Sequence, residues 1–213
     1  MELSGLVSFL ENRLTQSLPG AIAHDLMKPT LPGGLPIRVK HSEPHREGGV
    51  MILLYEEQGR VRFPLIQRPV YDGVHSGQIA FPGGKKEELD TDLIETAMRE
   101  SMEEIGVNVS RMKVIGSLSK FFVAASNFEV LPVISYVDQP PVFTPDDREV
   151  SEIITPSLID LVNETNRKTK KMEVGNGVTL EAPYFSLQQK VVWGATAMML
   201  SEFTSILSEF ESF

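Results

Sequence analysis

Apolar residues recur along this chain with a period that changes from stretch to stretch, and each period predicts an element. Leu6, Phe9, Leu10 and Leu14 fall at steps of three and four, the spacing of one face of an amphipathic helix. From Met27 to Gly49 the chain is rich in Pro, Gly and charge and reads as loop or linker. Val50 to Tyr55 is an unbroken apolar run between Gly48-Gly49 and Glu56-Glu57, which predicts a buried strand. A turn over Glu57-Gln58-Gly59-Arg60 and a second strand from Val61 to Gln67 make a hairpin with it. Residues 68–90 carry Pro and Gly throughout and read as loop, and 92–105 is the strongest helix in the chain. Val114–Leu118 and Glu129–Val137 read as strands, the stretch DQPPVFTPDDRE as turns, and Glu149–Ile154 as a short strand. A helix over Pro156–Asn166, a Lys-rich turn, and a hairpin of Val178–Leu180 with Tyr184–Leu187 follow. The last helix runs from Val191 to Phe210 with Trp193, Ala197, Leu200 and Phe203 on one face, and both Trp193 and this helix read as core, not as ligand contacts. Strands mixed with a few helices imply an α+β fold in which helices cover a sheet. Residues 1–47 read as an N-terminal helix and linker, and 48–213 as the main domain.

Composition narrows the function. A net charge of −9 excludes general nucleic-acid binding, which needs a basic face. An acidic protein that handles phosphates must mask charge, and a divalent cation is the usual means. Cysteine is absent, which excludes disulfides, thiolate metal sites and a Cys nucleophile, and fits a cytoplasmic setting. No apolar run approaches the roughly 18 residues of a membrane span. The N-terminus has Glu2 and Glu11 and no basic leader, unlike a signal peptide, so no membrane association is expected.

The helix at 92–105 breaks local rules in one place. Its ends are well marked: Asp92 suits the N-cap with Glu95 closing a capping box, and Gly106 suits a left-handed stop. Ile94, Met98 and Ile105 form an apolar stripe, with small Ala97 and Ser101 permitting close packing. Glu100, Glu103 and Glu104, however, crowd the last turn. Like charges three and four apart cost roughly 0.2–0.5 kcal/mol per pair, and they sit at the negative end of the helix dipole. A cluster of this kind is either a solvated acidic face or a cation site. A bound Mg²⁺, which takes hard oxygen ligands, would reverse each unfavourable sign.

Arg99-Glu100, Glu103-Glu104 and Gly106-Val107, downstream of Gly83-Gly84, closely resemble the Nudix box. That resemblance implies a mixed β-sheet sandwiched between helices. It also implies hydrolysis of a nucleoside diphosphate linked to another group, with Mg²⁺ or Mn²⁺ as cofactor. Glu100, Glu103 and Glu104, with the carbonyl of Gly83, take the place of metal ligands. Arg99 takes that of a residue orienting a glutamate, a role compatible with simple i,i+4 pairing to Glu103 or Glu95. Arg99, Glu100 and Glu103 would be catalytic together with a base outside the box, for which Glu149 and Glu152 are candidates. The box departs from the pattern in being one residue longer, and in having Thr91 where the family has Glu and Ser101 where it has an aliphatic residue. Asp90, beside Thr91, reads as a loop Asp near a helix start.

The segment 65–84 resembles the motif of a coenzyme A-hydrolysing branch of that family: Arg68, then Gly77, then Phe81-Pro82-Gly83-Gly84 at matching spacing. SNFEVLPVISYV at 126–137, APYFSL, and VWGATAMML at 192–200 extend the likeness. It implies substrate contacts from Arg68, Gly77, Phe81 and Gly84, although Arg68 also suits a surface position and Phe81 loop packing. Pro69 replaces a Ser or Ala of the motif, and Gly73 replaces its second Arg, a natural phosphate partner. Lys85, Lys86 or His75 could supply charge instead, although each suits an exposed loop position better. Three readings stay open: cleavage of coenzyme A or acyl-CoA, cleavage of a nucleotide sugar or dinucleotide, and a non-catalytic binding module of the same fold. The partner expected is a small nucleoside diphosphate derivative, with a homodimer as the assembly to test.

Overall fold

A computed structural model describes residues 2–37, 44–73, 75–174 and 177–210. In chain order the elements are α1 (Leu3–Arg13), α2 (Ala21–Asp25), β1 (Arg46–Glu57), β2 (Arg60–Arg62), β3 (Leu65–Gln67), β4 (Ile79–Ala80), β5 (Gly83–Lys85), α3 (Leu93–Ile105), β6 (Lys113–Ser117), β7 (Phe121–Val123), β8 (Phe128–Tyr136), β9 (Glu152–Ile154), α4 (Leu158–Val162), β10 (Arg167–Val174), β11 (Val178–Leu187), β12 (Lys190–Trp193) and α5 (Gly194–Leu207).

The apolar run that starts at Val50 becomes the middle of β1. This strand pairs antiparallel with β2 and β5 and parallel with β8, which in turn carries β6 and β7. Its side chains alternate between two cores, as the pleat requires. Ile52 and Leu54 face a core with Leu6 and Leu10 of α1 and Leu200 and Phe203 of α5. Met51, Leu53 and Tyr55 face a second core with Ala97 and Ile105 of α3. The sheet is therefore mixed and lies between helices, as expected. α1 is anchored by Leu6 and Leu10, both fully buried, each contributing about 1.5–3 kcal/mol. On the opposite face α3 comes so close that a Cβ at Gly49 would run into the carbonyl of Leu93.

The hairpin of β1 and β2 forms on Gln58-Gly59, both at positive φ, with Tyr55 opposite Arg62. The second strand is not continuous to Gln67. Phe63-Pro64 interrupts it, and β3 leaves for a separate three-stranded sheet with β4 and β9, since Pro64 has no N–H to give a ladder. The segment 68–90 is not all loop, because β4 and β5 lie within it, and β7 had no counterpart in the expected elements. The strand expected over Glu149–Ile154 shortens to β9, and the helix expected over Pro156–Asn166 shortens to α4 and one 3₁₀ turn at Glu164–Asn166. Residues 38–43 of the expected linker lie outside the described residues.

The largest difference lies between residues 167 and 193. The Lys-rich stretch is not a turn but strand β10, at the edge of a sheet β10-β11-β12. Arg167, Lys168, Lys170 and Lys171 are exposed, so no apolar alternation marks the strand; lysines at an edge also discourage pairing with another chain. The expected hairpin at 178–187 is the single strand β11. Pro183, within it, sits on its far edge. The N–H and carbonyl of Glu181 bond to Thr30 on the side away from β10, and Pro183, two residues on, faces the same way. Its missing N–H therefore costs no bond to β10. The last helix begins at Gly194, because Val191–Trp193 belongs to β12.

Candidate active site

α3 starts where its cap predicts: the Asp92 carboxylate accepts from the N–H groups of Ile94 and Glu95 at 2.9 Å. The capping box does not close on Asp92. Glu95 reaches one residue further back and accepts from the N–H and hydroxyl of Thr91 at 2.8 and 2.7 Å. At the other end Gly106 is left-handed, with φ 73°. The negative end of this helix is partly met by the following loop. The N–H groups of Thr144 and Asp146 donate to the carbonyls of Ile105 and Glu104, each at 3.0 Å, which mutes the dipole beside the glutamates.

Asp90 is not a simple loop residue. It is buried, and Arg99 clamps it with two parallel bonds, Nε to Oδ1 at 3.0 Å and Nη2 to Oδ2 at 2.9 Å. The guanidinium, with help from the Glu87 N–H and the Thr96 hydroxyl, holds the Asp90 carboxyl far below the usual range, although burial opposes this. With that carboxylate anchoring it, Arg99 spreads over the glutamates. Nη1 lies 3.0 Å from Glu100 and 2.9 Å from Glu103, and Nη2 donates to the carbonyl of Lys85 at 3.0 Å. Arg99 thus orients glutamates, and its i,i+4 pair is with Glu103, whereas Glu95 is taken by Thr91.

The glutamates occupy three different environments. Glu103 is exposed. Glu100 is half-buried, with its carboxyl against Gly84, where a Cβ would come within 2.5 Å of it, and burial raises its pKa against the pull of Arg99. Glu104 is buried and accepts the Gly83 N–H at 2.7 Å. Burial pushes its pKa up to about 8; the Gly83 bond and Arg68 pull the other way, and the charges of Glu100 and Glu149 add to the rise. Among the described residues no three carboxylate or imidazole groups already converge as a cage, because Arg99 engages Glu103 and Gly83 engages Glu104. The donor set nevertheless fits Mg²⁺ or Mn²⁺: hard oxygens only, beside a glycine that leaves the carboxyl of Glu100 uncovered, with a buried Glu104 whose neighbours are mostly negative.

Beside the glutamates opens a cleft of about 290 Å³. Gly83 and Gly84 of β5, Arg68, His75, Lys85 and Phe81 help to line it, so Arg68, Phe81 and Gly84 are brought together as expected. Phe81 lines the cleft and is also packed, its ring buried 6.5 Å from that of Phe63. Gly77 does not line the cleft: at φ 65° it turns the preceding loop, donating its N–H to Pro69. Lys86 is also absent from the wall, its N–H bonded to the carbonyl of Glu47. Of the two candidate bases, Glu149 is exposed and close enough to Glu100 and Glu104 to raise the pKa of each, whereas Glu152 is held away by Lys190.

Other residues of the lining were missed in the sequence. Val123, Phe128 and Val130 come from β7 and β8, and Ala195, Thr196 and Met199 from the first turns of α5. The last helix is therefore part of the cleft as well as core, and Trp193 is only half-buried. The likeness of VWGATAMML to the coenzyme A branch was the available signal, but an apolar helix face gives no local sign of which residues border a cavity.

The NUDIX domain model matches residues 45–174. The chain is 31% identical over 136 residues to an uncharacterized Nudix hydrolase, NudL, of Pectobacterium atrosepticum, covering 63% of this chain and 69% of that one. It is 32% identical over 129 residues to the mitochondrial coenzyme A diphosphatase NUDT8 of Mus musculus, covering 60% of this chain and 61% of that one, so the match spans about three fifths of that relative's length. Among solved structures, a Nudix hydrolase from M. smegmatis, RenU, aligns with a TM-score of 0.53 over 86% of this chain and 96% of that one, at 12% identity. That likeness concerns the fold alone. No helix among the described residues is long and apolar enough to cross a membrane.

Proposed function

The chain belongs to the NUDIX family, and from that premise we propose that it is a metal-dependent pyrophosphatase whose substrate is a coenzyme A-like nucleoside diphosphate derivative. One observation carries the reading: the cleft beside the glutamates combines cationic and apolar side chains. Arg68, His75 and Lys85 offer positive or hydrogen-bonding groups beside Gly83-Gly84, while Val123, Phe128, Val130, Ala195 and Met199 add apolar surface, with Ser126 and Thr196 as polar residues among them. A sugar or second nucleoside would bring a dense set of hydroxyl groups against that apolar surface, where partners are few, which disfavours it. A long arm with more widely spaced polar groups suits the mixed lining better. The identity with a coenzyme A diphosphatase points the same way.

In this reading Glu100, Glu103, Glu104 and the carbonyl of Gly83 hold Mg²⁺ or Mn²⁺. The bound ion would supply charge neutralisation at the diphosphate and a lowered pKa for water. The rest falls to the side chains. Arg68 and Lys85 draw the diphosphate to the β5 side of the cleft. Asp90 holds Arg99 so that Glu100 and Glu103 keep their positions. Water attacks one phosphorus, the bridging P–O bond breaks with its electron pair leaving on the departing phosphate, and Glu149 accepts the proton.

A second reading, a different linked diphosphate, is favoured by Gly73. This exposed glycine lies two residues from His75 and stands where the coenzyme A motif has Arg. Its φ is not in the left-handed region, and a Cβ there would meet only the ring of the exposed Tyr71, at 2.9 Å, a surface side chain that would have to shift. Gly73→Arg is therefore tolerable. A charge-assisted phosphate contact is worth about 1.5–3 kcal/mol, which predicts a KM for coenzyme A lowered by roughly one to two orders of magnitude. The test compares coenzyme A, dephospho-coenzyme A, ADP-ribose and NADH on both proteins with Mg²⁺ and Mn²⁺, with products read by mass. Preference for a sugar or dinucleotide substrate, unmoved by the substitution, would select the second reading.

A further inference from the structure

A second buried carboxylate lies outside the site just described. Glu202 of α5 has no exposed surface, yet it collects donors from two other parts of the chain. Its Oε1 accepts the Gly20 N–H at 2.9 Å and the Ser119 hydroxyl at 2.6 Å. Its Oε2 lies 2.9 Å from Nε2 of His24, and the Ser119 N–H approaches both oxygens at 3.3–3.4 Å. The His24 ring stands edge-on to Phe121, with centroids 4.9 Å apart. Gly20, His24 and Glu202 all fall outside residues 45–174.

The position of this node gives it a consequence. Met199, which lines the cleft, precedes Glu202 by one turn of α5, and Ala195 and Thr196 lie one turn further back. Ser119 leads directly into β7, whose Val123 lines the same wall. Tying Glu202 to Ser119 therefore sets the distance between α5 and β7, and His24 and Gly20 close the tie from the N-terminal segment. Burying a carboxylate among apolar neighbours costs several kcal/mol before its partners offset it, and an apolar side chain of similar volume often serves stability equally well. What such a side chain does not supply is a fixed geometry.

We propose that Glu202, held by Ser119, Gly20 and His24, is a positioning residue that sets the apolar wall of the cleft, so that the segments flanking the catalytic core decide how the arm of the substrate distant from the diphosphate is held. This rests on the cleft being the substrate site; the test is arranged so that the two ideas fail separately.

The experiment uses the full chain with Glu202→Leu, which removes every acceptor, and Glu202→Gln, whose carbonyl oxygen still accepts from Gly20 and Ser119. Trp193 is the sole tryptophan and stands at the N-cap of α5, so its fluorescence reports the start of that helix without any substrate. Glu202→Leu should shift the Trp193 emission and its quenching by acrylamide, and should raise KM for coenzyme A about tenfold while kcat stays within about twofold, a binding effect. Glu202→Gln should restore both readouts to near wild type. If Glu202→Leu does not fold, Ser119→Ala, which removes only the hydroxyl donor, should show the same split at smaller size. An unmoved Trp193 signal and unchanged KM in the folded variants would overturn the proposal, as would equal losses in kcat with Glu202→Gln giving no rescue. If wild type does not cleave coenzyme A, the substrate reading fails and the Trp193 comparison still decides the positioning role.

Discussion

Glu104 and Glu202 are both buried carboxylates on helices, and their surroundings push them in opposite directions. Glu104 has one N–H donor, from Gly83, and feels the negative charges of Glu100 and Glu149, and its pKa rises to about 8. Glu202 is equally deprived of water, and burial alone would raise it too. Bonds from His24, Ser119 and Gly20 outweigh that effect and hold it below the ordinary carboxylate range. The difference is one of completeness. Glu202 is satisfied by the protein, so it stabilises an arrangement. Glu104 is not, so its environment favours either a proton or a cation, which is what the proposed metal-ligand role requires.

The sharpest way to break that contrast is Glu104→Gln. The amide keeps an acceptor for Gly83 but cannot bind a cation as a carboxylate does. Turnover with Mg²⁺ should fall by at least about a hundredfold, beyond the 10–100-fold typical of outer-shell partners. The metal-free thermal midpoint should hold or rise, since a like-charge contact is gone. Near-normal turnover would return Glu104 to an ordinary buried acid. Next in size is Asp90→Asn. Asp90 touches none of Glu100, Glu103 and Glu104 but anchors the arginine that orients two of them, so kcat should fall about 10–100-fold, with metal concentration for half-activity rising alongside. If activity is lost only in proportion to folded protein, the Asp90–Arg99 clamp is purely structural.

The smallest effect concerns acid stability. Because the folded pKa of Glu202 is lowered, its stabilisation is present above the unfolded carboxylate value and is lost as pH falls through that range to the folded pKa. Glu202→Gln lacks this ionisation. The difference in thermal midpoint between wild type and Glu202→Gln should be largest at neutral pH and shrink toward zero in acid. A difference that does not change with pH would mean that the charge of Glu202 contributes nothing and that only its shape does.

The candidate site on α3 was legible because its signals are local. Asp92 and Gly106 mark the ends of α3 within a few residues, and Glu100, Glu103 and Glu104 are neighbours by helix geometry alone. Even there, the sequence pattern did not reveal that Asp90 closes on Arg99, because a residue beyond the cap reaches the helix face only through the shape of the loop. The rest of the molecule was harder to read. Gly77 matched a motif yet turns a loop outside the cleft, Lys-rich β10 carried no apolar alternation, and β11 was expected as a hairpin because the partners on its two edges lie far away in sequence.

By itself the sequence determined the two-sided strand β1, the caps and acidic turn of α3, and the family to which they point, all set by periods of two to four residues. Tertiary structure alone decided which glutamate is buried, which wall of α5 meets the cleft, and that Glu202 lies beside His24, 178 positions away along the chain. Contacts across that distance follow from how whole elements pack, and no local period encodes them.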